Sequence, residues 1–304
     1  MNLPCPSSAG AVISVTALSR HFGVQAALQE VSLYVPRGCV CGLVGENGAG
    51  KTTLIKHLLG LLRAQTGTVR VFGLDPVADD VAVLSRIGYL SETRDLPGWM
   101  RIDDLLRYTA AFYAGWDEGF ANRLREQFAL SPSVRVRTLS QGQLAKLGLL
   151  VAMAHRPELL LLDEPSSGLD PLVRREILEA IIRTVAEEGR TVLFSSHLLD
   201  EVERVSDHLA MMHQGRILFS GPLDQVKESH RRFIIRFEAA QARPPQLEGA
   251  LCISGHGREW KVVSSGLSHL TTAHAASLGG VILEERMATL DEIFVARAKG
   301  GQPA

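Results

Sequence analysis

The sequence has little of several features that would place it in a specialised class of protein. It has four cysteines in 304 residues, and their spacing fits neither a zinc site nor a disulfide framework. Its longest apolar run, Leu147–Ala154, is far shorter than the ~18 residues that a membrane-spanning helix needs. No basic segment precedes the first apolar stretch, which Pro4 and Pro6 interrupt, so we expect no signal peptide. We expect a cytoplasmic protein that works at a membrane only through a partner.

An excess of charge of one sign is also missing. The chain has 32 basic and 33 acidic residues, which give a formal net charge of −1. Nucleic-acid-binding proteins usually carry a basic excess, so we expect no nucleic-acid partner. The apolar fraction of 46% is ordinary for a globular protein and allows a substantial core. The length suits one large domain, or a large domain with a small one.

Predicted strands and helices alternate along most of the chain, which indicates an α/β domain with a mainly parallel sheet over residues 1–222. The predicted strands are Val31–Val35, Cys39–Val44, Thr68–Phe72, Leu159–Leu162, Thr191–Ser195 and a hairpin of Ala210–His213 with Arg216–Phe219. The predicted helices are Thr52–Leu62, Asp103–Tyr113, Phe120–Phe128, Gln143–Ala154, Arg174–Glu187 and Asp200–Ser206.

The pattern changes after Gly221-Pro222, and we predict that residues 223–304 form a small α+β accessory domain. The predicted strands are Arg231–Phe237, the pair Leu251–Ser254 and Glu259–Val263, and Val281–Arg286. The predicted helices are His269–Ser277 and Leu290–Lys299.

A glycine-rich loop between a predicted strand and a predicted helix matches the phosphate-binding motif G-x-x-x-x-G-K-[ST] in full. Its backbone N–H groups can surround phosphates, Lys51 can neutralise the β- and γ-phosphates, and the Thr52 hydroxyl can reach a magnesium ion. A glycine turn with a chance lysine does not account for a full match in this context. The predicted nucleotide-binding residues of this loop are Gly45, Glu46, Asn47, Gly48, Ala49, Gly50, Lys51, Thr52 and Thr53.

Two acids follow a second buried strand. Leu159–Leu162 is entirely leucine and delivers Asp163 and Glu164 to the edge of the sheet where open α/β folds bind ligands. Asp163 can hold magnesium, and Glu164 can orient or deprotonate the attacking water. Alone, the pattern fits a buried strand capped by two solvated acids equally well. The phosphate-binding loop upstream favours the catalytic interpretation.

A third motif narrows the choice among nucleotide-binding proteins. Leu139-Ser140-Gln141-Gly142-Gln143 stands before an apolar helix and upstream of Asp163. It resembles the LSGGQ signature of ATP-binding-cassette (ABC) ATPases. With Ser167-Gly168-Leu169-Asp170 and His197 in the expected order, the resemblance covers about residues 12–222. The segments 87–92 and 112–117 look most like ATPase subunits of the ABC-2 export type, near YtrB-like subunits.

The resemblance implies a fold and further site residues. The fold is an ABC-type P-loop NTPase with an antiparallel β subdomain and a helical subdomain at about residues 93–155. Asp170 would lie in the D-loop, and His197 would be the switch histidine that senses the γ-phosphate. Phe22 would stack on adenine, although it could equally be a core residue or be replaced in this role by His21. Ser140, Gln141, Gly142 and Gln143 would contact the ATP held by a second subunit.

Two positions depart from the family pattern. Gln141 stands where the family usually has glycine, while the neighbouring serine and glycine of the signature are retained. Glu92 stands where a glutamine that faces magnesium is typical. A carboxylate can also coordinate magnesium, but it adds a charge and cannot donate a hydrogen bond when ionised. We therefore retain Glu92 as a catalytic and metal-binding candidate.

The resemblance also implies cofactors and partners. These are ATP, Mg²⁺, a second ABC subunit in a homodimer or heterodimer, and a transmembrane permease that docks on the helical subdomain. Aromatics concentrated in residues 99–116 could form the docking groove or fill the core of that subdomain; they are Trp99, Tyr108, Phe112, Tyr113 and Trp116. The expected function is that of an exporter ATPase. The alternatives are a soluble ABC ATPase and a nucleotide-dependent regulatory module.

Overall fold

The structure is a computed structural model that describes residues 10–266 and 268–300. Pro4 and Pro6, on which the expectation of no signal peptide depends, lie outside the described residues. The chain forms two compact units, Met1–Ser220 and Gly221–Ala304. The strands of the first unit, the last of which crosses the unit boundary, are β1 (Ala11–Phe22), β2 (Gln25–Pro36), β3 (Val40–Val44), β4 (Thr66–Val71), β5 (Ile87–Leu90), β6 (Leu159–Leu162), β7 (Thr191–Ser196), β8 (His208–His213) and β9 (Arg216–Pro222). Its helices are α1 (Lys51–Leu58), α2 (Asp80–Leu84), α3 (Ile102–Ala110), α4 (Glu118–Gln127), α5 (Gln141–Met153), α6 (Pro171–Glu188) and α7 (Leu199–Val205), with a 3-10 turn at Val136–Thr138.

A six-stranded sheet in the order β5-β6-β7-β3-β8-β9 forms the centre of the first unit. Its strands from β5 to β8 pair in parallel. Every residue of β3, β6 and β7 is buried, which is typical of strands covered on both faces. Because parallel strands end at the same edge, the segments that follow β3, β5, β6 and β7 gather there.

The second sheet of this unit is antiparallel, in the order β2-β1-β4. Its inward side chains share one apolar core with the central sheet, and Val15 and Leu33 lie in the same cluster as Leu43 and Leu161. The strand β1 is absent from the sequence-based predictions. Its register shifts several times against β2, and Ala17 has φ 48°, so the apolar and polar residues do not alternate regularly.

The helix α1 is shorter than predicted, because it ends at Leu58 rather than at Leu62. Gly60 has φ +71° and lies so close to the backbone that an added Cβ would be 2.1 Å from the Pro76 carbonyl oxygen. A glycine in the left-handed region is a common helix terminator. The helical spacing of the leucines therefore continues beyond the helix itself.

The second unit is a three-stranded antiparallel sheet with helices, as an α+β arrangement requires. Its elements are α8 (Leu223–Glu228), β10 (His230–Gln241), β11 (Ala250–Ser265), α9 (Ser268–Ser277), β12 (Gly280–Met287) and α10 (Leu290–Gly300), with the strand order β11-β10-β12. Its core contains Phe233, Ile235, Phe237, Trp260 and Val262.

The two strand segments predicted at 251–254 and 259–263 both lie within β11. A Cβ on Gly255 would lie 2.4 Å from the Glu259 carbonyl oxygen. Residues four apart on a straight strand are separated by about 13 Å, so the chain folds back between the two segments. Gly257, with φ +66°, lies within this reversal.

Candidate functional site

The phosphate-binding loop joins β3 to α1 at the carboxyl edge of the central sheet. A Cβ on Gly45 would lie 2.3 Å from the Met212 carbonyl oxygen. A Cβ on Gly50, where φ is +106°, would lie 2.6 Å from the Ala27 carbonyl oxygen. Only glycine fits at either position without a shift of the backbone. Residues 46–48 at the tip of the loop are exposed, and their backbone is open to a ligand.

Lys51, the first residue of α1, reaches back across the loop. Its Nζ donates hydrogen bonds to the carbonyl oxygens of Gly45 at 2.6 Å and Glu46 at 3.3 Å. The same Nζ lies 3.0 Å from Oε1 of Glu164, and both side chains are 6% exposed. Buried charges are costly unless they are paired and hydrogen-bonded, so each of these two residues makes the burial of the other tolerable.

Glu164 joins the loop to His197. Its Oε2 lies 2.8 Å from Nδ1 of His197. An ionised carboxylate only accepts hydrogen bonds, so Nδ1 carries the hydrogen and Nε2 can accept one. Glu164 has φ 48°, which is uncommon outside glycine, and its N–H is bonded to Oγ of Ser195 at 2.8 Å. Such strain persists where the surroundings fix it, and it is frequent at functional sites.

The magnesium candidates lie around this linkage. Asp163 is buried, its Oδ1 accepts a hydrogen bond from Oγ of Ser195 at 2.7 Å, and its N–H is bonded to the carbonyl oxygen of Leu90. Thr52 follows Lys51 directly, and the exposed Glu92 follows β5. A carboxylate and a hydroxyl are suitable ligands for Mg²⁺, which usually keeps several waters and takes phosphate oxygens. In the described part of the chain no three His, Cys, Asp or Glu side chains are grouped to hold a metal by themselves.

Sequence reasoning missed the polar residues behind the acids. These polar residues are Ser195 and a group of side chains that contact Glu201, which is 2% exposed. Its Oε2 accepts hydrogen bonds from the hydroxyls of Ser166 at 2.6 Å and Ser196 at 3.2 Å, and Nε of Arg174 lies 3.1 Å from its Oε1. Buried polar groups need hydrogen-bond partners. Ser195 and Ser196 at the end of the otherwise apolar strand β7 were therefore the sequence feature that could have indicated this polar group.

The signature residues cap α5 and face outward. Oγ of Ser140 accepts the N–H of Gln143 at 3.2 Å, and Oε1 of Gln143 accepts the N–H of Ser140 at 3.0 Å, which is a capping box. Ser140, Gln141 and Gln143 are exposed, while Gly142 packs against Val173. Among residues 10–266 and 268–300, no hydrogen bond or ion pair joins residues 140–143 to the phosphate-binding loop. One chain therefore does not bring the two motifs together.

Asp170 is engaged by the helix that follows it. Its Oδ1 accepts the N–H groups of Leu172 and Val173, both at 3.1 Å, so the carboxylate caps α6. Any contact of Asp170 with a nucleotide stays a prediction.

Phe22 is 47% exposed at the end of β1, which contradicts the alternative that it is a core residue. The guanidinium of Arg20 lies 4.9 Å from the centre of its ring. Phe22 pairs with Gln25 across the tip of the hairpin, and Ala27, two residues farther on, contacts the loop at Gly50. The hairpin that carries Phe22 thus approaches the loop at Ala27, and stacking of Phe22 on adenine stays a prediction.

Comparison with known proteins identifies the family. A family model described as ABC transporter matches residues 28–167. The bacitracin transport ATP-binding protein BcrA of Bacillus licheniformis is 32% identical over 73% of this chain and 74% of its own length. This chain belongs to the ABC transporter ATP-binding proteins. The ABC transporter ATP-binding protein YtrB of Bacillus subtilis is 26% identical over 95% of this chain and 99% of its own length.

Solved structures of ABC proteins have the same fold. The ATP-binding subunit of an ABC transporter superposes with a TM-score of 0.65 and 31% identity, over 71% of this chain and 92% of that one. The chain is thus an ATP-binding and ATP-hydrolysing subunit of an ABC transporter. None of the helices within residues 10–266 and 268–300 has the length and apolarity of a membrane span.

Proposed function

We propose that this ABC subunit energises an exporter by closing on ATP and Mg²⁺ against a second subunit and reopening after hydrolysis. The linkage of the buried Lys51 and Glu164 to the exposed His197 is the observation that supports this most strongly. The subunit would lie on the inner face of the cell membrane, held there by a permease. The similarity to YtrB over nearly the whole chain, including residues 223–304, supports an accessory domain that belongs to this type of subunit.

The linkage suggests how hydrolysis begins. A nucleotide phosphate would draw the ammonium of Lys51 away from Glu164, because each pairing neutralises the same cation. Glu164 would then be free to accept a proton from the attacking water, and the ring of His197, oriented by its Nδ1 contact with Glu164, would face the γ-phosphate. Mg²⁺ supplies neutralisation of phosphate charge when bound, and Thr52, Asp163 and Glu92 would hold it.

The signature would complete the site from the second subunit. The hydroxyl of Ser140 already accepts a hydrogen bond inside its capping box, but it can still donate one to a phosphate oxygen. It also stands at the N-terminus of α5, where backbone N–H groups favour an anion. Gln141, Gly142 and Gln143 would flank the same phosphate, and Asp170 would approach the interface from the start of α6.

The permease would dock on exposed aromatics of the helical region. Trp99 is 69% exposed and Phe112 is 67% exposed, and Tyr108 contacts Phe112 edge-on with ring centroids 5.0 Å apart. By contrast, Tyr113 stacks on His155 and the indole N–H of Trp116 is bonded to Glu118. The first group thus faces solvent and suits an interface, while the second supports the subdomain.

Substitution of Trp99 tests this docking surface. Trp99→Ala should reduce transport in cells while ATP binding by the purified subunit stays unchanged, because the indole contacts no part of the phosphate site. Tyr113→Phe, which keeps the half-buried ring stacked on His155, serves as the matched control. Unchanged transport in the Trp99 variant would contradict docking at this surface.

Mixing two inactive variants tests completion of the site by a second copy. Lys51→Ala removes the phosphate-binding cation, and Ser140→Asp keeps a good helix cap while it places a negative charge against the phosphate. Each variant alone should lose turnover. A mixed dimer has one site with both an intact loop and an intact signature, so the mixture should hydrolyse ATP faster than the two separate variants together.

The wild type and a Ser140→Asn variant, which also caps a helix but adds no charge, are the controls. A mixture that stays inactive beside an active wild type would contradict completion of the site by a second copy of this chain.

A further inference from the structure

A buried arginine next to the site has no place in the mechanism above. Arg94 is 6% exposed, although arginine is rarely buried to this extent. Its Nη2 donates hydrogen bonds to the carbonyl oxygens of Ser167 at 2.7 Å and Pro165 at 3.2 Å. These two carbonyls belong to the turn that directly follows Glu164.

The backbone of Arg94 is also held in place. Its N–H is bonded to the carbonyl oxygen and to the hydroxyl of Ser91, both at 3.2 Å, so residues 91–94 form a closed turn. Arg94 has φ 52° in this turn, a conformation that a non-glycine residue keeps only where its surroundings fix it. Glu92 lies in the same turn and is exposed.

The burial of Arg94 is only partly compensated. Its Nε has no hydrogen-bond acceptor among the described residues. Burial lowers the pKa of its guanidinium and the charge of Glu92 raises it, but an arginine stays protonated in either case. A buried cation with an unsatisfied N–H is a poor choice for packing alone, which indicates that its two bonds to the turn matter.

The far end of the same segment is tied to a different motif. The carbonyl oxygen of Gly98 accepts the N–H of Arg137, and that of Met100 accepts the N–H of Val136, both at 3.0 Å. Residues 136–137 directly precede the signature. Trp99, between these two bonds, is exposed. Segment 91–100 thus contacts the turn after Glu164 at one end and the approach to the signature at the other.

We propose that Arg94 is a positioning residue for ATP hydrolysis, which holds the turn behind Glu164 in place through its hydrogen bonds to the carbonyl oxygens of Pro165 and Ser167. This inference rests on the proposed role of Glu164 as the base. The turn is held from its other side by Glu201, which accepts the hydroxyl of Ser166. Arg94 thus holds the turn through Pro165 and Ser167, and Glu201 holds it through Ser166.

The test is chemical rescue in the full-length chain. Arg94→Ala should lower kcat for ATP about tenfold, equivalent to ~1.4 kcal/mol, with little change in KM. Methylguanidinium at millimolar concentration should restore part of the lost kcat by occupying the space of the side chain. Arg125→Ala is the matched control, because Arg125 is also largely buried and donates to the carbonyl oxygen of Leu130 in the helical region. It should lose stability without loss of kcat and without rescue.

A second measurement does not depend on turnover. Hydrogen exchange of a peptide that covers residues 163–170 should be faster in Arg94→Ala than in the wild type and unchanged in Arg125→Ala. An unchanged kcat, or a loss of kcat without rescue and without faster exchange in this peptide, would overturn the proposal. A Glu164→Gln variant that still hydrolyses ATP would instead refute the proposed base, and the exchange experiment would still decide whether Arg94 holds the turn.

Discussion

In each unit of this protein a glutamate contacts more than one basic side chain, and the two clusters differ in backbone conformation and in the segments that supply the basic groups. In the first unit Glu164 contacts Lys51 and His197. In the second unit Glu292 contacts Lys261 at 2.6 Å, Arg286 at 3.0 Å and Arg232 at 3.4 Å. By the number of charges the second cluster is the richer, yet the first is the candidate site.

Both carboxylate oxygens of Glu292 are engaged by protein groups, although Nε of Arg232 in this cluster is buried without a hydrogen bond. Oε2 of Glu292 accepts the N–H of Thr289, and Oγ1 of Thr289 accepts the N–H of Glu292, which is a capping box at the start of α10. Its cations come from β10, β11 and β12, so the carboxylate joins the sheet to the helix. Nothing in this arrangement requires a ligand.

The cluster around Glu164 has features that the other lacks. The backbone of Glu164 lies in the left-handed region, and its buried Oε1 has an ion pair but no hydrogen bond. Its cation Lys51 belongs to the loop that would receive a phosphate. Backbone strain and a cation that a ligand would engage distinguish a site from a structural ion pair better than a count of charges does.

The largest expected effect is a difference in the rate of ATP hydrolysis between variants of the two glutamates. Glu164→Gln should lower the rate of ATP hydrolysis at least about a hundredfold, since general-base catalysis contributes about 10²- to 10⁴-fold. ATP binding should persist, because the phosphate-binding loop is intact. Glu292→Gln should keep the wild-type rate. Steady-state hydrolysis and equilibrium nucleotide binding of both variants test this, and a slow Glu292 variant would remove the distinction.

The second prediction concerns stability, to which we expect Glu292 to contribute through its ion pairs. Glu292→Gln should lower the free energy of unfolding of the second unit by about 1–3 kcal/mol, because partly buried cations lose a charged partner. The measurement is urea unfolding followed by the fluorescence of Trp260, which is 3% exposed in the core of this unit. A background with Trp99→Phe and Trp116→Phe removes the other two tryptophans. A Glu284→Gln variant, which changes a more exposed partner of Arg232, should cost less.

The motifs of the first unit could be predicted from sequence because each is a short run with a fixed chemical purpose. The loop at 45–53 and the acids at 163–164 lie where a parallel sheet must place them. The contacts between Lys51, Glu164 and His197 could not be predicted, since they join three segments far apart in the chain. Arg94 gave no signal either, because an arginine in a polar turn is ordinarily exposed.

The regular elements show the same limit. The helix α1 was predicted too long because its leucine spacing continues past Gly60, where close approach to Pro76 ends the helix. The strand β1 was missed because bulges interrupt its alternation. In both cases contacts with distant parts of the chain override the local pattern, which is where reasoning from periodicity alone fails.

The smallest effect is the pH dependence of the difference between wild type and Glu292→Gln. Burial raises the pKa of Glu292, but hydrogen bonds from Lys261, the backbone of Thr289 and Arg286 outweigh burial and lower the pKa from its ordinary 4.5 to about 2. A depressed pKa in the folded state stabilises the fold above the unfolded pKa, and this contribution is lost as pH falls towards the folded pKa. The advantage of the wild type should therefore be constant from pH 7 to about pH 5 and shrink between pH 4.5 and pH 2. Urea midpoints of the two proteins across this range measure the difference, in which carboxylates common to both cancel. If the stability difference between the wild type and Glu292→Gln does not change with pH, Glu292 stabilises the second unit through packing rather than through its charge. The ion pairs of Glu292 would then not contribute to stability, whereas those of Glu164 are proposed to matter for function.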